Sequence, residues 1–170
     1  MLSKKEVRQL IEKEKLVENY MNLDIQLTPN GIDLTVGKIF EFTSQGSLDF
    51  SNKERVVPEG GEVLLQKRDP HDERGWWHLA KGTYKARTNE VVNLPNNIVA
   101  LAFSRTSLLR MGAFTQHGVW DAGFRGKGEF ILSVENLYGI QLKENVRIAQ
   151  LVFFRIDETE GYNGIYKNLK

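Results

Sequence analysis

The chain has 170 residues, 41% hydrophobic and 26% charged, a composition suited to one compact soluble domain over 1–170. Its 23 Lys and Arg against 22 Asp and Glu leave a formal charge of +1, so the cationic excess that general nucleic-acid binding draws on is absent. There is no cysteine, which excludes disulfides, thiolate zinc sites, iron–sulfur clusters and cysteine nucleophiles; no apolar run approaches the ~20 residues that cross a bilayer, and without a secretory apolar segment a cytoplasmic location is expected.

The first 20 residues predict a helix. From Ser3 to Asn19, Ser3 can cap the amide of Glu6 while Glu6 reaches back, and Val7, Leu10 and Ile11 follow at helical spacing. The mixed charges of Lys4, Lys5, Glu6, Arg8, Glu12 and Lys13 read as its solvated face.

The period then changes to two. Short runs rich in β-branched and aromatic residues occupy Gly31 to Val36, Lys38 to Phe42, Glu62 to Leu65, Gly82 to Arg87 and Asn97 to Phe103. A second set covers Ala113 to Gln116, Glu129 to Val134, Ile140 to Leu142 and Arg147 to Ile156, and only Ser104 to Met111 looks like a short helical turn. The predicted fold is mainly β, a distorted jelly roll or β-barrel with an N-terminal helix and one short internal helix. The charge-rich stretch Gln66 to Gly75 reads as a loop, and residues 157–170 as a tail. Tyr162, Ile165 and Tyr166 are too apolar for a purely solvating segment, so the tail is expected to be mobile or docked on a neighbouring subunit.

His71, His78 and His117 lie too far apart for a local chelate, so any metal would be a hard cation beside carboxylates and phosphate. Ser104-Arg105-Thr106-Ser107-Leu108-Leu109-Arg110-Met111-Gly112 offers two guanidiniums, three hydroxyls and free amides at the start of a helical turn, the donor set that a polyphosphate needs. The same residues could instead cap a turn with Arg105 paired to a carboxylate. Downstream, Gly118-Val119-Trp120-Asp121-Ala122-Gly123-Phe124-Arg125-Gly126 sets one acid among glycines that allow a sharp turn and a close approach. Taken alone, Asp121 would pass for an Asx-turn residue.

Together with Pro29-Asn30-Gly31-Ile32-Asp33-Leu34 and Val146-Arg147-Ile148-Ala149-Gln150-Leu151, these segments occur in the order of the dUTPase and dCTP deaminase superfamily, and the chain most resembles its archaeal-type dUTPases. That resemblance implies the β-clip jelly roll of the family, a homotrimer with active sites between subunits, and attack of water on the α-phosphorus of dUTP with Mg2+ on the triphosphate. It implies Asp121 as the carboxylate that positions and deprotonates the water, and Asp33 as the acid that holds magnesium through water. Arg105, Thr106 and Ser107 match the phosphate-binding segment, and Gln150 a glutamine that contacts the phosphates or nearby backbone. Phe124 matches a ring that packs on the deoxyribose, although it reads equally well as a core aromatic. Discrimination between pyrimidines is expected from the backbone of the hairpin around Ala113 to Val119.

The rival within the superfamily is dCTP deamination, which relies on a glutamate three residues before an asparagine. Anchored on Asn136, that position is Ser133; anchored on Asp121, it is Ile131; neither side chain shuttles protons. Residues 129, 131, 133 and 135 share a strand face, so a bulge could bring Glu129 or Glu135 into the pocket instead. Arg110 matches an arginine used by deaminases, and the tail Gly161 to Lys167 is closer to theirs than to the glycine-rich arm of bacterial and eukaryotic dUTPases. A non-catalytic nucleotide-binding module on the same fold is the reading from another class, and it has no need of Asp121. A cupin-like module lacks its histidine cluster here.

Overall fold

Eleven strands and three helices make up the computed structural model, which describes residues 1–168. In chain order they are α1 (Lys4–Glu14), β1 (Val17–Glu18), α2 (Leu23–Gln26), β2 (Leu27–Thr28), β3 (Gly31–Phe42), β4 (Gly60–Glu62), β5 (Trp76–Leu79), β6 (Gly82–Asn93), β7 (Ile98–Ser104), α3 (Thr106–Arg110), β8 (Ala113–Gln116), β9 (Arg125–Val134), β10 (Ile140–Lys143) and β11 (Arg147–Arg155). The mainly β class is as expected.

The N-terminal helix starts as predicted, with the Ser3–Glu6 capping box formed, but it ends at Glu14. Lys15 turns into the left-handed region (φ 56°, ψ 37°) and its amide closes the helix on the carbonyls of Ile11 and Leu10. Leu16 and Val17, expected in the helix, are buried instead, and Val17 pairs with Val92 of β6 as strand β1. Helix α1 buries Val7, Leu10 and Ile11 against Ile32, Leu34, Ile98, Leu151 and Phe153, each such side chain stabilising the fold by about 1.5–3 kcal/mol. A second short internal helix, α2, is an addition to the one expected; Asn22 caps it by accepting from the Ile25 amide at 3.1 Å.

One sheet runs β7, β11, β3, β6, β9, β8, with β1 on β6 and both β2 and β4 on β3, while β5 and β10 pair separately. Every pairing is antiparallel. The two ends of that order, β7 and β8, approach at Ser104 and Thr115: the Thr115 amide donates to Ser104 Oγ at 2.7 Å, and the two hydroxyls lie 3.0 Å apart. This seam brings the sheet close to a barrel.

The runs Gly31–Val36 and Lys38–Phe42, predicted apart, form the single strand β3, with its register to β6 shifted between Val36 and Lys38. Residues 31–36 are buried on both faces: Ile32, Leu34 and Val36 enter the core, while Asp33 and Thr35 lie buried on the other side. The short strands β1, β2 and β5 lie outside the predicted runs, and β5, four residues long, follows directly on the charged loop.

Candidate active site

Two sets of polar residues stand out, and different strands build each. The first gathers where β3, β11 and the start of α3 meet. Gln150 of β11 lies directly opposite Asp33 of β3, and Ala149 opposite Ser104, so Arg105 emerges beside both. Arg105 occupies the N-cap position of α3 and puts its Nε 2.9 Å from Asp33 Oδ2; Arg147 Nη1 reaches the same oxygen at 3.1 Å and also donates to the Ile25 carbonyl at 3.0 Å. Asp33 is only 3% exposed, and burial raises its pKa while the two guanidiniums oppose the rise. Gln150 donates to Thr28 Oγ1 at 2.8 Å. Thr106, Ser107 and Arg110 remain exposed along α3. The structure brings Asp33, Arg105, Thr106, Ser107 and Gln150 into one neighbourhood and adds Arg147, which the sequence reading left out. Its signal is the spacing in Val146-Arg147-Ile148-Ala149-Gln150, which places an arginine three residues before the glutamine.

The second set lines a cleft of about 590 Å3, whose walls include Asp121, Phe124, His117, Glu129, Ile131 and Tyr162. Asp121 follows Trp120, whose backbone exchanges two hydrogen bonds of 3.0 Å with Ala100 of β7. The Trp120 indole lies over Gly128 of β9, where a Cβ would come within 2.3 Å of its ring. After Asp121 the chain turns, with the Phe124 amide donating to the Asp121 carbonyl at 3.0 Å and Gly123 at φ +78°. The Phe124 ring stands edge-on to Trp120 at 5.3 Å. No side-chain hydrogen bond holds the Asp121 carboxylate among the described residues, so it is available to a ligand or to water. Neither Asp33, Arg105, Thr106, Ser107, Arg110 nor Gln150 lines this cleft.

His117 is the residue that sequence reasoning passed over. Its half-buried ring packs against Phe130 at 4.3 Å with the planes tilted by 42°, Nε2 lies 2.8 Å from Thr115 Oγ1, and Nδ1 is buried without a partner among the described residues. Burial pushes its pKa down to about 4. Of the two carboxylates considered for deamination, Glu129 lines the cleft and Glu135 does not. Glu129 Oε1 accepts from Arg87 Nε at 2.8 Å and Nη2 at 2.7 Å, whereas Glu135 accepts from the Ser133 hydroxyl at 2.8 Å. The cleft-facing side chain next to Glu129 on this face is Ile131.

The tail folds back on its own chain rather than standing free. Thr159 donates to the Asn96 carbonyl at 3.1 Å, Tyr162 to Ala122 at 2.7 Å and Asn168 to Arg125 at 2.6 Å, and Tyr162 and Tyr166 join the cleft wall. The last two residues of the predicted tail, 169 and 170, lie outside the described residues.

No group of three or more metal-ligating side chains occurs among the described residues, and Asp33, the expected acid, already carries two guanidiniums. A magnesium ion on a triphosphate keeps most of its waters and is held mainly by phosphate oxygens.

Residues 1–156 match the family model described as dCTP deaminase-like, and the chain belongs to that family. Within it, the chain is a homologue of the archaeal-type dUTPases. It is 44% identical over 168 residues to the probable deoxyuridine 5'-triphosphate nucleotidohydrolase of Archaeoglobus fulgidus, covering 98% of this chain and 95% of the relative. It is 37% identical over 143 residues to the deoxyuridine 5'-triphosphate nucleotidohydrolase of Methanocaldococcus jannaschii, covering 84% and 87%. The fold is shared with the 2'-deoxycytidine 5'-triphosphate deaminase of Agrobacterium tumefaciens, at TM-score 0.65 and 20% identity, over 91% of this chain and 47% of that one. Among the described residues, no helix is long and apolar enough to cross a membrane.

Proposed function

We propose that the chain is a dUTP diphosphatase, converting dUTP and water to dUMP and pyrophosphate, which lowers the dUTP available for incorporation into DNA and supplies dUMP. The observation that carries this reading is Asp121: a carboxylate free of protein side-chain partners among the described residues, opening into an aromatic-walled cleft. Asp121 accepts a hydrogen bond from a water and takes its proton as the oxygen attacks the α-phosphorus, while the bond to the bridging oxygen breaks and pyrophosphate leaves. Phe124 packs against the deoxyribose and leaves no room for a 2′-hydroxyl. Arg105, Thr106, Ser107, Arg110 and Gln150 hold the departing phosphates, and the Arg105–Asp33–Arg147 pairing keeps the guanidinium aimed. Mg2+, held by the triphosphate and by Asp33 through water, supplies further charge neutralisation when bound.

Because the phosphate set does not line the cleft that holds Asp121, we place the working site between subunits of a homotrimer, one chain giving the cleft and another the cradle. Glu129 supports a second reading, deamination of dCTP to dUTP, alone or followed by hydrolysis, since it reaches the same cleft. The two hydrogen bonds that its Oε1 accepts from Arg87 and the apolar Ile131 beside it weigh against a proton shuttle.

Incubation of the purified protein with Mg2+ and dUTP or dCTP in parallel, with separation of the nucleotides, tests the proposal. Hydrolysis predicts dUMP and pyrophosphate from dUTP, far faster than from UTP or dTTP. Ammonia and dUTP from dCTP, with no dUMP from dUTP, would overturn it.

A further inference from the structure

We infer that Glu90 is a positioning residue for the phosphate cradle: its buried carboxylate, acting through Thr35 and Gln26, sets where Asp33 stands and so where Arg105 and Arg147 point. The inference rests on the phosphate-binding role given to that cradle above.

Glu90 is a buried acid that no cation answers. It lies on β6 where the register to β9 shifts between Arg87 and Val91, it is fully buried, and it forms no ion pair among the described residues. Hydrogen bonds hold it instead. Oε2 accepts from the Thr35 amide at 2.9 Å, and Oε1 accepts from the Thr35 hydroxyl at 2.6 Å and from Gln26 Nε2 at 2.8 Å. Burial raises the pKa of this carboxyl, and the donors oppose the rise. Every one of these partners presents a hydrogen, so both oxygens must accept, which a carboxylate does and an amide cannot.

Each partner leads on to the cradle. Thr35 lies two residues beyond Asp33 on the same buried face of β3, directly opposite Arg147 of β11. Gln26 Nε2 also donates to the Asp33 carbonyl at 2.9 Å, while Gln26 Oε1 accepts from the amides of Met21 and Asn22 at 2.7 and 3.0 Å. All of its hydrogen-bonding positions are therefore used, and it pins α2, whose Ile25 carbonyl accepts from Arg147 at 3.0 Å. Arg147 thus has two anchors, Asp33 Oδ2 and the Ile25 carbonyl, and Glu90 stands behind both. The backbone of Glu90 is held separately, because its carbonyl accepts from Thr88 Oγ1 at 2.8 Å. A change confined to the carboxylate therefore acts on the cradle first.

A merely structural role would weaken every ligand alike, whereas a positioning role weakens only those that reach the cradle. Glu90→Gln keeps the size and puts a donor where only acceptors fit; Thr35→Val keeps the Thr35 amide and removes the hydroxyl. Calorimetry compares dUMP, which lacks the β- and γ-phosphates, with the non-hydrolysable α,β-imido analogue of dUTP, which carries them. Glu90→Gln should weaken binding of the analogue about tenfold and Thr35→Val about threefold, with dUMP binding within about twofold of wild type in both. In an Arg105→Gln background, either change should cost less than about twofold more, since the group it aims is gone. Equal losses for the analogue and dUMP, or losses that simply multiply in the double variants, would overturn the inference. So would a wild type that binds the analogue no more tightly than dUMP. Should Glu90→Gln not fold, Thr35→Val alone and with Arg105→Gln decides. Wild-type protein that favours the analogue over dUMP but releases no pyrophosphate from dUTP would defeat the proposed function alone, leaving the Glu90 comparison intact.

Discussion

Gly123 and Gly161 touch where the tail crosses the Asp121 turn: a Cβ on Gly123 would lie 2.5 Å from the Gly161 Cα and 2.9 Å from the Tyr162 amide nitrogen. Gly123 also sits at φ +78°, where a side chain adds about 1–3 kcal/mol of backbone strain. Gly123→Ala is therefore expected to lift the tail, break the Tyr162 to Ala122 hydrogen bond and speed proteolytic cleavage around residues 159–168. A digestion pattern and rate equal to those of the wild type would contradict this.

Asp121→Asn should lower pyrophosphate release by at least about a hundredfold, the usual contribution of a general base, while dUTP affinity is largely kept. Ser133→Ala, whose hydroxyl only donates to Glu135, should be mild. Equal losses in the two variants, measured as kcat/KM, would show that β9 meets the substrate in a different register.

Arg105→Gln removes one of the two cations on a buried carboxylate, and a fall of up to about 3 kcal/mol in stability is expected at neutral pH. The sign with pH follows from Asp33. Its folded pKa is raised by burial, so protonation relieves the uncompensated charge, and the deficit should shrink as pH falls. Denaturant melts of variant and wild type at neutral and acidic pH measure the difference; a deficit that grows in acid would refute the assignment.

His117 gives a second pH effect of opposite sign. Its folded pKa of about 4 lies below the ordinary histidine value of 6.5, so its contribution is fully present above 6.5 and is lost as pH falls toward 4, by up to about 3 kcal/mol. Replacing it by Phe should flatten the acid side of the stability curve over that window. A curve with unchanged slope would show that the ring is not held neutral by burial.

Mixing inactive Asp121→Asn and Arg105→Gln chains under conditions that exchange subunits should restore part of the activity, because some mixed sites would pair an intact cleft with an intact cradle. Sedimentation should give about three times the 19.5 kDa chain mass. A monomer with full turnover would exclude a shared site.

Most strands were legible because alternation marks a half-buried strand, as in β8, whose bounds match the expectation at both ends. The N-terminal helix was overextended since Leu16 and Val17 fit either period; tertiary pairing with β6 decided between them. The proposed acid turn and phosphate cradle follow from motif order, which carries chemistry without needing distances. Arg147 and His117 could not be ranked that way. One acts through a carboxylate more than a hundred residues earlier in the chain, and the other stands out only once Nδ1 is known to lack a partner.

Trp120 roots the turn that carries Asp121, with its indole resting on Gly128 and its backbone bonded to Ala100. The aim of that acid is thus a property of interior packing rather than of local hydrogen bonds. Mild loosening of the core around Leu94, Ile98 and Trp120, by a shortened side chain or by moderate pressure, should erode turnover well before the molecule melts.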